Sequence, residues 1–325
     1  MSIYSFSDIE LQAYKNIWIA IQNYDVHAEL PAIDSEKALT LYKKVLSESR
    51  PGYMYNQNQI RMCNGYWGSR IEFEMCDEFK NGRITIDIRV MPEIIKIMSM
   101  ARKEKNVYDA VKSVYTYFVK NFDYAYNLGT DLKYHSAVSV FMYKKSVCEG
   151  FALAFANVLN RLGIPCGIVN GSSSFDGTFG AHAWNIVESD RKYYHLDVTW
   201  DICTKEKGID TFDYFWLDDK LVRKDHQWND PSIPAASDST KEFYTKNERC
   251  CINERECVSV IVAGLRQKKT NISFRFIGNN CQNVIESQNL ERLFECAAKR
   301  CHLDYHSVSL FVNSTGGIVH FSLNY

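Results

Sequence analysis

Ser146-Val147-Cys148-Glu149-Gly150-Phe151-Ala152 opens a run in which Phe151, Phe155, Val158, Leu159 and Leu162 recur at helical spacing. Gly163 follows the last apolar turn and Pro165 comes soon after, the usual order of a helix stop. Cys148 therefore stands at a helix N-terminus. There, backbone N–H groups without intrahelical partners and the positive end of the helix dipole favour a thiolate, the nucleophilic form, over a thiol.

Downstream lie two alternating segments, Ala181-His182-Ala183-Trp184-Asn185-Ile186-Val187-Glu188 and Tyr193-Tyr194-His195-Leu196-Asp197-Val198-Thr199-Trp200. Ser-Asp-Arg-Lys separates them, so the pattern is that of a β-hairpin. A turn centred between Ser189 and Asp190 sets His182 directly opposite Asp197. Opposed Cβ atoms lie about 4.5–5.5 Å apart, close enough for a carboxylate to accept the imidazole N–H and fix its tautomer. Singly, each residue has a plain structural explanation: a small buried cysteine, a core histidine, an aspartate at a turn. Jointly they answer three separate demands of thiol catalysis: a nucleophile at a helix start, a base on a strand and an acid facing that base.

Val147-Cys148-Glu149-Gly150-Phe151-Ala152, then Ala181-His182-Ala183-Trp184-Asn185, then His195-Leu196-Asp197-Val198-Thr199-Trp200-Asp201 resembles the catalytic core of bacterial members of the transglutaminase-like superfamily. The resemblance runs from about Val107 to Trp228, including Lys224-Asp225-His226-Gln227-Trp228. It implies a papain-like α+β core in which a helix presents the cysteine to an antiparallel sheet. Cys148 then becomes the nucleophile, His182 the general base and Asp197 the residue that orients the histidine. The calcium sites of animal transglutaminases have no matching motif here, so neither a metal nor another cofactor is expected. The glutamine that papain-like enzymes carry six residues before the cysteine is Met142 here. The Cys148 backbone N–H then needs a second oxyanion donor, for which Tyr124 and Tyr134 are the candidates. Trp184 and His195 are candidates for supporting the triad, while His226 matches a family motif without an obvious chemical role.

The 325 residues include 46% hydrophobic side chains, enough for sizeable cores. Lys plus Arg number 38 against 39 Asp plus Glu, a net charge of −1, so no global basic field points to nucleic acid or an anionic membrane. No apolar stretch reaches membrane-spanning length, and the N-terminus lacks a basic region followed by a hydrophobic segment, which predicts a cytoplasmic protein. Eleven cysteines, an odd number in a large chain, favour reduced thiols over a disulfide framework. Cys296, Cys301, His302 and His306 form the nearest approach to a zinc pattern, but their spacing on a helix points them apart.

Four segments are expected: a mixed α/β region over 1–104, the core over 105–230, a linker over 231–246 and a small α+β module over 247–325. In the first, Asp34 to Ser49 reads as a helix, and Arg70 to Cys76 with Arg83 to Val90 reads as a hairpin turning at Asn81-Gly82. Tyr53, Tyr55, Tyr66 and Trp67 are candidates for lining a groove or packing beneath a sheet. Glu93 to Arg102 and Val107 to Lys120 read as helices. In the last segment, helices are expected near Val258 to Leu265 and Asn289 to Arg300. Strands are expected at Asn271 to Ile277, Ser307 to Val312 and Gly317 to Leu323. That module shows no catalytic pattern and reads as a docking, partner-binding or stabilising unit.

The expected chemistry is attack of Cys148 on an amide carbonyl of a peptide or protein substrate, giving a thioester. Water then makes the protein a cysteine peptidase or amidase, the first choice; a small amine acceptor would make it a transglutaminase. A non-catalytic peptide-binding or scaffolding protein that retains the fold is the alternative of a different class.

Overall fold

The helix Cys148–Arg161 is mostly apolar and is buried on every side along the consecutive residues Gly150 to Leu159. Such a helix has to be surrounded. The computed structural model describes residues 4–65, 68–80, 83–127, 131–174, 177–205, 211–279, 281–302 and 305–325, and in it this helix is the centre of an α+β fold. Phe155 meets the rings of Tyr115 and Phe118 from the helix Val107–Asn121 at 6.0 and 5.3 Å. Its polar members are satisfied by the chain that precedes the core: Asn157 donates to the Ser49 carbonyl at 3.0 Å and Asn160 to that of Ser47 at 2.9 Å. Gly163, at a φ of +79°, takes the left-handed conformation that ends the helix.

Against this helix lies a five-stranded antiparallel sheet in the spatial order His226–Gln227, Cys166–Ser173, Gly180–Ser189, Lys192–Leu196, Phe215–Leu217. The hairpin between its third and fourth members turns on Asp190 and Arg191, both at positive φ (55° and 59°), as a two-residue turn of the favoured handedness requires. Ser189 therefore opposes Lys192, and Asn185 opposes Leu196. The turn is centred one residue later than expected, so His182 and Asp197 are diagonal neighbours rather than a direct pair.

The N-terminal region carries the helices Asp8–Gln22 and Ser35–Glu48 and an antiparallel sheet ordered His27–Leu30, Gly68–Met75, Tyr55–Gly65. Ser7 and Glu10 form a reciprocal cap at the first helix. Arg83–Val90, expected as a strand, is helical instead and continues through Pro92 to Ala101. Its alternating β-branched residues suit a strand locally, but the helix is held from its far half, where Glu93 accepts from Tyr117 at 2.7 Å. The strand Gly68–Met75 pairs instead with Tyr55–Gly65. Asn81-Gly82, Tyr66 and Trp67 lie outside the described residues; Tyr53 and Tyr55 are fully buried, the packing alternative. One apolar cluster runs through this region and the core together, from Ile17 and Tyr42 to Phe151 and Phe215.

After the core, residues 229–240 form neither helix nor strand, yet the segment is fastened. Asp230 pairs with Lys44 at 2.7 Å and Asp238 with Lys192 at 2.7 Å. Beyond it a four-stranded sheet, ordered Cys250–Cys251, Asn271–Phe276, Ile318–Asn324, Ser307–Asn313, carries the helices Glu254–Arg266 and Ser287–Cys301 over its own apolar cluster. Among the described residues no helix is long and apolar enough to cross a membrane.

Candidate functional site

Val147 precedes the central helix in extended conformation and provides no side-chain cap, so the first N–H groups, that of Cys148 among them, lie outside the intrahelical ladder. Close packing at Gly150 fixes this helix start. A Cβ there would collide with Ser146 Oγ and come within 2.7 Å of the Ser136 carbonyl oxygen. Gly150→Ala is accordingly expected to cost about 2 kcal/mol of stability and to slow alkylation of Cys148; chemical denaturation and peptide mapping measure the two effects. The next residue, Glu149, is turned away and anchored by His135 Nδ1 at 2.5 Å, Asn58 Nδ2 at 2.7 Å and Lys43 Nζ at 3.3 Å. Burial pushes its carboxyl up, but His135, Lys43 and Asn58 outweigh that and hold it down at about 2. The N-terminal region thus steadies the residue beside the thiol.

His182 leaves its strand toward Cys148 and Asp197. Its Nε2 lies 2.6 Å from Asp197 Oδ2, and Cys148 lies near enough to the same imidazole to favour its charged form. With Nε2 committed to the carboxylate, Nδ1 is the nitrogen left for the thiol. The indole of Trp184 stacks on the imidazole, with centroids 5.9 Å apart and planes 17° from parallel. Trp184 Nε1 donates to His195 Nδ1 at 3.0 Å, and His195 Nε2 meets Asp219 at 2.9 Å. His195 therefore stands behind Trp184 and not on Asp197; burial lowers its pKa.

Asp197 ends the strand Lys192–Leu196 and begins the helix Val198–Lys205. Its Oδ1 accepts the N–H groups of Thr199 and Trp200 at 2.9 and 3.2 Å, the contacts of a helix cap. Its backbone is pinned on both sides, the N–H donating to the Tyr214 carbonyl at 2.9 Å and the carbonyl accepting from Tyr115 Oη at 2.8 Å. The other carboxylate oxygen, Oδ2, receives His226 Nε2 at 3.1 Å besides His182. His226 Nδ1 in turn meets Asp225 Oδ1 at 2.5 Å, and Asp225 Oδ2 accepts from Tyr214 Oη at 2.7 Å.

His226, whose motif carried no legible role in the sequence, is thus a second histidine on Asp197. Its short strand pairs with Cys166–Ser173, which brings a residue 29 positions away onto the carboxylate. The signal was present in the sequence as an acidic residue beside a histidine, a pattern too common to read without the fold.

Of the two tyrosines considered as oxyanion donors, Tyr124 borders the same cavity as His182. Burial, then the proximity of Cys148, raises its hydroxyl well above the usual range, so it remains a proton donor. Tyr134 contributes its carbonyl, which accepts from Ser146 Oγ at 2.6 Å and from Val147 N–H at 3.0 Å, and its ring faces Tyr143. Asp123–Tyr124 runs parallel to Lys145–Ser146, placing Tyr124 next to the chain that leads into Cys148.

Electrostatics favour a charged His182–Asp197 pair. Burial opposes ionisation of Asp197, yet His182 and His226 hold its carboxyl well below the usual range. Burial likewise would lower the imidazole of His182, but Asp197 and Cys148 outweigh it and hold the ring up at about 10. A folded value above the unfolded one near 6.5 means that this group's contribution to stability is full below about pH 6.5. The contribution is lost as pH rises through about 10. Nitrogen chemical shifts of His182 are therefore expected to report an imidazolium throughout neutral pH, with deprotonation near pH 10; titration near 6.5 would remove the ion pair from the site.

Among the described residues, the His/Cys/Asp/Glu group whose ligand atoms converge is His182, Asp197 and His226, within 4.8 Å of one another. That spacing suits a metal ion, and the 2.6 and 3.1 Å contacts of Asp197 Oδ2 with the two Nε2 atoms equally suit two hydrogen bonds. Cys296, Cys301, His302 and His306 form no such group, and none of the eleven cysteines, all among the described residues, is joined in a disulfide.

Residues 97–198 match the family model of the transglutaminase-like superfamily, a span that holds Cys148, His182 and Asp197 and stops short of His226. No curated protein matches the chain. A solved structure described as a TGase is 19% identical, with a TM-score of 0.31, over 53% of this chain and 50% of that one. Another, from Cytophaga hutchinsonii and provisionally named a cysteine protease, is 14% identical with a TM-score of 0.30, over 43% of this chain and 61% of that one. The chain thus spans about half of the first structure and under two thirds of the second. Residues 97–198, which hold the Cys, His and Asp segments, are thus similar to the transglutaminase-like superfamily.

Proposed function

We propose that the protein hydrolyses an amide bond of a peptide or protein substrate through Cys148, His182 and Asp197. The observation that carries this reading is the buried pair of His182 Nε2 and Asp197 Oδ2 at 2.6 Å, with Cys148 at the helix start near the same imidazole. The sulfur attacks the carbonyl carbon, forming a C–S bond and an oxyanion. Cys148 N–H and Tyr124 Oη are the proposed donors to that oxyanion. As the C–N bond breaks, the imidazolium gives its proton to the leaving amine, and a thioester remains. His182, now neutral, takes a proton from water; the hydroxide oxygen bonds to the acyl carbon, and the C–S bond breaks to give the acid and the free cysteine. Asp197 holds the ring in register in both halves, and His226 with Asp225 keeps Asp197 ionised and in place.

A short pulse of iodoacetamide at about pH 6, followed by peptide mapping, tests the nucleophile. Cys148 is expected to be labelled first among the eleven. Burial holds the Cys76 thiol up at about 12 and raises those of Cys166, Cys250 and Cys281, while Cys251 is raised chiefly by its hydrogen bond to Cys257. His182→Ala should slow the labelling of Cys148 without unfolding the protein. Labelling elsewhere with Cys148 untouched defeats the assignment. Product analysis with and without an added primary amine then separates hydrolysis from acyl transfer.

A further inference from the structure

A cavity of 530 Å³ opens on His182, within the size range of ligand pockets. Its walls combine the rings of Tyr124, Tyr126, Trp200, Tyr214 and Phe311 with small and neutral polar residues, Asn313 and several threonines among them. No Asp, Glu, Lys or Arg is among its described lining residues.

Two of these residues come from the C-terminal module. Phe311 and Asn313 lie on the strand Ser307–Asn313, at the edge of the C-terminal sheet. Asn313 Nδ2 donates to Tyr214 Oη at 3.2 Å, while its Oδ1 accepts from the Gly316 N–H at 2.9 Å. Phe311 rests against His320, with centroids 5.8 Å apart, and His320 Nε2 meets Asp213 Oδ2 at 3.1 Å. Arg275, from the same sheet, donates to the Asp213 carbonyl at 3.3 Å and pairs with Glu242 at 3.3 Å. These groups are buried, and breaking such a network leaves uncompensated charge in the interior. The module is therefore held against the loop that carries Asp213 and Tyr214, with its edge strand forming part of the cavity wall.

We propose that this cavity receives an uncharged aromatic side chain of the substrate next to the scissile amide, and that the C-terminal strand supplies part of the selectivity. The proposal rests on the reading of Cys148 as the nucleophile. Aromatic walls accept another ring in edge-to-face or offset contact, and Asn313 can meet a neutral polar tip. A cation would meet the protonated imidazole of His182. An anion would find that imidazole already balanced by Asp197. Either charge would lose hydration without gaining a counter-ion.

The test uses the full-length protein and three reagents that share one ring: N-benzyl iodoacetamide and its 4-carboxy and 4-aminomethyl analogues. Each reacts by forming a bond from Cys148 sulfur to carbon while the C–I bond breaks and iodide leaves. Peptide mapping follows the rate at Cys148. The neutral reagent is expected to react about tenfold faster than either charged one. Phe311→Ala is expected to reduce that preference to about threefold or less, with Phe311→Leu, which keeps an apolar side chain and protects folding, intermediate. Val308→Ala, on the same strand but outside the cavity lining, should preserve the preference. Equal rates for the three reagents, faster reaction of a charged one, or a preference indifferent to residue 311 overturn the proposal while leaving Cys148 as the nucleophile. Failure of all three to label Cys148 removes the nucleophile reading and this inference together.

Discussion

Cys148→Ala is expected to abolish amide hydrolysis, lowering kcat/KM by about 10⁴-fold or more, while changing stability by less than about 1 kcal/mol. The large effect follows from the proposed chemistry, in which no other group replaces the sulfur that becomes part of the thioester. The small effect follows from position. Cys148 is the first residue of its helix and is only half-buried, so alanine keeps the backbone and leaves no large cavity. The substitution also removes one of the two partners that hold the His182 imidazole up. Its pKa is therefore expected to fall, with Asp197 still supporting it. Steady-state kinetics and thermal unfolding of the variant measure both halves of the expectation. Residual turnover close to the wild-type rate would transfer the chemistry to another residue.

Asp197→Asn is expected to lower kcat/KM by about 10³-fold or more and to destabilise the protein by about 2–4 kcal/mol. One carboxylate here does two jobs. Oδ1 caps the helix Val198–Lys205 through Thr199 and Trp200, and Oδ2 accepts from His182 and His226. An asparagine that keeps its oxygen on the cap turns its NH₂ toward both imidazoles. His182 must then accept at Nε2, which places its proton on Nδ1, toward the thiol, in the tautomer that cannot receive the proton of Cys148. The stability loss should depend on pH. Because the folded carboxyl ionises below its unfolded value near 3.8, its contribution is present above about pH 4 and lost as pH falls through the folded value. The difference in stability between wild type and Asp197→Asn is accordingly expected to shrink in acid. Denaturant unfolding at several pH values reads it, and a variant equal to wild type in activity at pH 7 would remove Asp197 from the mechanism.

The carboxylate also explains why the C-terminal module and the cluster of His182, Asp197 and His226 are expected to respond to one another. Asn313, Tyr214, Asp225, His226, Asp197 and His182 are joined by successive hydrogen bonds. A shift of the edge strand would therefore be felt at two places, the cavity wall and the partners of Asp197.

Local patterning determined the central features of this protein. Apolar residues at helical spacing, closed by Gly163 and Pro165, placed Cys148 at a helix start, because helix periodicity and its stop signals are encoded within a few turns of chain. Alternation likewise placed His182 and Asp197 on two sides of one hairpin. Tertiary structure decided what local patterns cannot carry. The positive φ of both Asp190 and Arg191 moved the turn by one residue, and His182 reaches Asp197 on the diagonal, since a two-residue shift in pairing preserves the face of the sheet. Arg83–Val90 became helix because its continuation packs on the helix Val107–Asn121, a contact that outweighs the strand-like alternation. His226, Asp225, Phe311 and Asn313 reach the site only through strand pairing and a buried ionic network, so their roles depend on contacts between residues far apart in sequence, which no window of the chain contains.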